Sequence, residues 1–154
     1  MATTPTPAPT GITIGIKEIK FLHYETTTRV QEIKSQLPND AYEFQFDMKW
    51  NIIENDKLFN ILLSVTLYEK QSSETKVELA NMKEHISFVV INFQEVIKKE
   101  KELISIPDQL ITVAAGIALS TARGMFVMNV KDSILNNAVI PIVNPQVFLP
   151  KKDK

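Results

Sequence analysis

The sequence contains no cysteine. Disulfide scaffolds, thiol nucleophiles and cysteine-ligated zinc or iron-sulfur centres are therefore excluded. Only 4 of the 154 residues are glycine, and none builds a phosphate-cradling loop after a strand, so a nucleotide site of that kind has no support. A dominant charge is also missing: 17 Lys and Arg oppose 18 Asp and Glu, a formal net charge of -1. That balance lacks the positive excess with which proteins hold nucleic acid. Long hydrophobic runs are scarce too. The most apolar stretch, Leu110 to Leu119, is about half a bilayer span and includes Thr112, which argues against membrane insertion. The N-terminus has no basic region followed by an apolar one, and Ala2 stands where myristoylation requires glycine, so a cytoplasmic location is expected.

What is present is an ordinary globular composition, 44% hydrophobic and 23% charged, at the length of one domain. Residues 1–10 carry three prolines among Ala and Thr and offer nothing to bury. They read as an arm, the domain as residues 11–150, and residues 151–154 as a short basic tail.

Alternation dominates the first half. Ile12, Ile14, Ile16, Ile19 and Phe21 mark a first strand ending near Tyr24, and residues 25–41 read as a polar connection with Val30, Ile33 and Leu37 at loosely helical spacing. From Tyr42, large apolar side chains (Tyr42, Phe44, Phe46, Met48, Trp50, Ile52) alternate with polar ones. Only a strand sets them on one face. A turn at Glu54 to Lys57 leads into Phe59, Ile61, Leu63, Val65 and Leu67, a hairpin. A further strand over Val77 to Ile91 loses its alternation near Met82 to His85, which predicts a bulge or kink there.

Helices follow. Phe93 to Leu103 suits a short surface helix, and Ser105-Ile106-Pro107-Asp108 is a start signal for a main helix over Leu110 to Phe126, rich in small residues. Gly124 is expected to end that helix in a left-handed conformation, with Arg123 meeting the exposed carbonyls or a carboxylate there. Ser133 to Ala138 can form a short helix, and later prolines forbid a long one. The fold class is therefore α+β, a four-stranded antiparallel sheet with C-terminal helices.

No catalytic constellation emerges. His23 and His85 sit on strands without ligands at metal spacing, Ser73-Glu74-Thr75-Lys76 lies in a hairpin turn without companion motifs, and Glu54 and Asp56 fit turn chemistry. The expectation is a protein that is not an enzyme, with no cofactor and no metal. The surplus is apolar. The row Tyr42, Phe44, Phe46, Met48 and Trp50 is either core under the main helix or the wall of a groove for extended apolar segments. Ile53, Leu58, Leu62 and Tyr68 put apolar residues on the opposite face, pointing to an oligomer interface or a ligand groove.

The C-terminal third resembles the SecB-type export chaperones. Ala118 to Phe126, with Arg123, Gly124 and Phe126, is similar to the end of that family's long helix, and Ile140 to Pro145, with Pro141 and Asn144, resembles the segment before its last short helix. The resemblance implies a homotetramer, built as a dimer of dimers, whose grooves hold unfolded or nascent client proteins without ATP. It also implies delivery to the SecA motor, from which this near-neutral chain departs, because export members dock SecA through an acidic sheet face. Some relatives are instead dedicated chaperones of antitoxins. A self-associating structural or ligand-binding domain remains the competing reading.

Overall fold

The computed structural model describes residues 11–151. The arm expected over 1–10, and all of the basic tail but Lys151, lie outside the described residues. Four long strands, β1 (Ile14–Thr26), β2 (Tyr42–Ile53), β3 (Leu58–Lys70) and β4 (Lys76–Val90), form an antiparallel sheet in the order β1-β4-β3-β2. The α+β architecture with its four-stranded antiparallel sheet is the one the sequence predicts. Between β1 and β2 the chain forms a short helix α1 (Thr28–Glu32) and a single 3-10 turn at Asn39–Ala41. The hairpin between β2 and β3 closes where Lys57 N–H donates to the Glu54 carbonyl and Lys57 takes a positive φ of 55°.

The strict alternation of β2 and β3 fixes their register, Tyr42 opposite Glu69 through Ile53 opposite Leu58, without a bulge. One face of the sheet therefore carries Phe59, Ile61, Leu63, Val65 and Leu67, all essentially inaccessible. The long helix α3 (Asp108–Val130) packs on β3 and β4. Ala114, Ala118 and Ala122 are fully buried on its inner side, and their small side chains let the helix backbone lie close to the sheet.

Several expectations need correction. β4 is regular through Met82 to His85: Met82, Glu84, Ile86 and Phe88 all occupy the core face, so the alternation survives and a buried glutamate only disguises it. The extra residues sit at Leu79 on β4 and at Lys17 and Leu22 on β1. Phe93 to Leu103 is not one helix. It holds a single turn, α2 (Phe93–Val96), then a small ribbon of β5 (Lys98–Glu100) and β6 (Leu103–Ser105) reversed at Lys101, whose φ is 58°. Ser133 to Ala138 forms consecutive turns rather than a helix.

Gly124 does not end α3; it lies inside it without a positive φ, and the helix runs on to Val130. A start at Pro107 and Asp108 is as expected, with Pro107 in the N-cap position. At 23 residues and a mean hydropathy of 1.6, α3 is long and apolar enough to cross a membrane, well beyond the Leu110 to Leu119 stretch. Its inner side is occupied by the sheet.

Candidate functional site

The row Tyr42, Phe44, Phe46, Met48 and Trp50 projects from one face of β2, the face that β3 and β4 present to α3. Because β2 is an edge strand and α3 rests on the two central strands, the row is only half-covered: all five side chains pack against the core yet keep part of their surface in solvent. The row is thus partly core and partly solvent-facing. No backbone hydrogen bond from another element reaches β2 on its outer side among the described residues. Such an edge carries free backbone donors and acceptors beside a stripe of apolar surface.

Phe126 fastens the row to the helix. Its buried ring meets Phe44 edge-on at 5.4 Å between centroids and Tyr24 of β1 at 6.4 Å, so one side chain of α3 spans both edges of the sheet. Arg123 leaves α3 three residues earlier and donates to the carbonyls of Ile140 (3.2 Å) and Pro141 (3.1 Å). These are not the expected helix-end carbonyls, because α3 does not end at Gly124; they belong to the later segment. Asn144 caps the short 3-10 helix Pro145–Phe148, its Oδ1 accepting from Gln146 N–H at 3.0 Å. Gly116 faces that helix, and a Cβ there would make an ordinary van der Waals contact, 3.5 Å, with Pro145 Cγ. Of the residues that carry the resemblance, Arg123 and Pro141 therefore join α3 to the chain beyond it, Phe126 joins α3 to the sheet and Asn144 caps the last short helix, while Gly124 is exposed and a Cβ there would meet nothing.

That chain forms the second wall of a recess of about 390 Å³, with Tyr42, Glu43 and Phe44 on one side and Asn137, Val139 and Pro141 on the other. Asn137 is the node: its Oδ1 accepts from the Tyr42 hydroxyl at 2.8 Å, and its Nδ2 donates to the Leu37 carbonyl at 2.8 Å and to Asn39 Oδ1 at 3.1 Å. Burial pushes the Tyr42 phenol above its ordinary range, which keeps it a donor. Val139 in the far wall is 59% exposed, so apolar surface there is open to solvent.

The α1 side is pinned by a fork. Arg29 Nε and Nη2 donate to the two carboxylate oxygens of Glu69 at 2.7 and 2.9 Å, next to Tyr42 in register. These bonds hold the Glu69 carboxyl below its usual range and raise the guanidinium further. Glu84, by contrast, has no partner. Both of its carboxylate oxygens are buried without a hydrogen bond, and burial pushes its pKa to about 8. Sequence reasoning missed Arg29, Glu69 and Asn137. The signal for the carboxylates existed, since Glu69 and Glu84 fall in the apolar phase of β3 and β4; Asn137 carried none.

Nothing in this arrangement pairs a nucleophile with a base, and among the described residues no group of three His, Asp or Glu is placed to hold a metal ion. What it can do is grip an extended apolar segment beside β2.

No family model and no curated protein matches the sequence. Among solved structures, the chain is similar to a SecB-like chaperone of Mycobacterium tuberculosis in complex with a ChAD peptide from an antitoxin, with a TM-score of 0.52 and 12% identity over 84% of this chain and 90% of that one. A protein of unknown function from Streptococcus agalactiae also matches, with a TM-score of 0.37 and 12% identity over 86% of this chain and 98% of that one. The likeness to the SecB-like chaperone is one of fold: the chain has a SecB-like fold.

Proposed function

We propose that this chain is an ATP-independent holdase that binds extended, apolar segments of unfolded or nascent proteins along the β2 edge. The observation that carries the reading is the half-covered aromatic and Met row on an unpaired edge strand, beside an open apolar recess. An extended client adds backbone hydrogen bonds at the edge and sets alternate side chains toward the row, while the polarizable Met48 adapts to different sequences. The solved neighbour of the same fold holds a peptide from an antitoxin, which supports peptide binding and keeps a dedicated antitoxin client within the reading. The reading involves no catalysis and a cytoplasmic setting, and it stops short of SecA, because the sheet face away from α3 mixes lysines (Lys20, Lys49, Lys83) with carboxylates (Glu18, Glu25, Asp47) and is not dominated by acidic side chains.

Self-association completes it. Ile16, Ile19 and Phe21 on β1 and Val113, Val127 and Met128 on α3 are exposed apolar side chains that a homotetramer would cover. A monomeric mass at micromolar concentration would contradict the assembly. For function, the test is suppression of aggregation of an unrelated denatured protein at stoichiometric amounts without ATP. Replacing Met48 and Trp50 by serine in a still-folded oligomer is expected to abolish it; an assembled wild-type protein that suppresses nothing is an inert structural domain.

A further inference from the structure

The β2 edge is complementary to itself. On the face away from α3 it carries Gln45, Asp47, Lys49 and Asn51, all exposed, and on the other face Phe44, Phe46, Met48, Trp50 and Ile52 are half-buried. Lay a second copy antiparallel on this edge, about a two-fold axis perpendicular to the sheet at Met48. Asp47 of each chain then stands opposite Lys49 of the other, and Gln45 opposite Asn51. On the α3 face Phe46 meets Trp50, Phe44 meets Ile52, and Met48 meets its own copy. Charges, amides and apolar side chains are thus matched from Phe44 to Ile52. Moving the axis by one residue sets Asp47 or Lys49 opposite its own like charge. Moving it by two leaves Asp47 opposite Gln45 or Ile53, and Glu43 is already held by Lys76 at 2.8 Å.

Within the chain, neither Asp47 nor Lys49 enters an ion pair among the described residues, so both charges are free for such a partner. β2 also pairs with β3 without a bulge, which keeps its outer side a regular template for another strand.

We propose that in concentrated protein the β2 strands of two copies pair about this axis and close the edge that a client otherwise uses. Competition with the client rests on the holdase reading; the pairing itself does not. The contact uses none of the β1 and α3 side chains assigned to the tetramer. Because it is isologous, each pair consumes both edges and leaves neither as a template for aggregation. A single strand pair is a small interface, so it opens on dilution and yields to a client.

The natural chain has no cysteine, so an introduced disulfide reports the axis. In Met48→Cys the paired Cα atoms stand about 4.5–5.5 Å apart, within reach of a disulfide. In Gln45→Cys or Asn51→Cys alone they are about 20 Å apart, beyond that reach. Mild oxidation of concentrated full-length protein is expected to link Met48→Cys into dimers on a denaturing gel and to leave each of the other two unlinked. An equimolar mixture of Gln45→Cys and Asn51→Cys, which spares the apolar row, should give the mixed disulfide. Adding Asp47→Lys to both proteins should slow that linking by about tenfold, since like charges then face each other in both halves, and Asp47→Lys/Lys49→Asp should restore it. Saturating unfolded client should suppress it. Linking of Gln45→Cys alone as readily as the mixture, no linking by either probe, indifference to the charge changes, or linking unaffected by a client that the protein does protect from aggregation overturns the proposal. If the protein protects no client while linking follows the charges, the holdase reading fails and the pairing stands.

Discussion

The two edges of the sheet solve the same problem in opposite ways. β1 is broken twice, by extra residues at Lys17 and Leu22, and charged side chains (Lys17, Glu18, Lys20) interrupt its apolar ones. β2 keeps an unbroken register along its whole length and holds its apolar row half under cover. Bulges twist an edge away from further strand pairing, whereas a regular edge remains a template for it. The difference extends inward. Beneath β2 the facing positions of β3 are apolar up to Glu69, which is forked to Arg29; beside β1, Phe21 faces the unpartnered Glu84. One edge is built firmly and left open, and the other is blunted over a weak point in the core.

The harshest way to break the comparison is to remove the side chain both edges share. Phe126→Ala should cost about 3–5 kcal/mol in a denaturant melt, because the ring is buried and contacts both Tyr24 and Phe44. Next comes the weak point. Glu84→Met removes two unbonded buried oxygens and should raise stability by about 1–3 kcal/mol. Its pH signature is specific. With a carboxyl that titrates near 4.5 unfolded and about 8 folded, the native state holds a proton that the unfolded chain has lost between those values. Stability should therefore fall as pH rises through that window, by up to about 1.4 kcal/mol per pH unit, and level off above it. Glu69, held low by Arg29, acts in the opposite sense, adding stability as pH rises toward 4.5. Melts of Glu84→Met should lose the decline above pH 4.5 and keep the rise below it.

Arg123→Met sharpens the β2 side. Losing the bonds to the Ile140 and Pro141 carbonyls should cost about 1–2 kcal/mol and weaken client binding, as the far wall of the recess comes loose. The smallest effect is Gly124→Ala, which should stabilise by up to about 1 kcal/mol, since the position is helical, exposed and free of neighbours.

Much of this contrast could be read from the sequence on the β2 side and little of it on the β1 side, for a physical reason. Strict period-two alternation from Tyr42 to Leu67 leaves one register and one buried face, so strands, turn and apolar row follow directly. On β1 and β4 the pattern is disturbed by Lys17, Leu22 and Glu84, and a local reading takes a buried glutamate for a break in the strand. Gly124 misleads in the same way: glycine commonly ends helices, yet here the buried side chains beyond it, Phe126 and Val130, carry the helix onward. Asn137 and Arg29 act across long sequence separations to Tyr42 and Glu69, and no local pattern announces such partners.

The central claim is that an extended client joins β2 and not β1. Amide hydrogen exchange of the full-length protein, with and without a saturating unfolded client, tests it most directly. The account predicts added protection over Tyr42 to Ile53, with β1 unchanged at constant oligomeric state. Protection gained on β1 while β2 exchanges as before would contradict it.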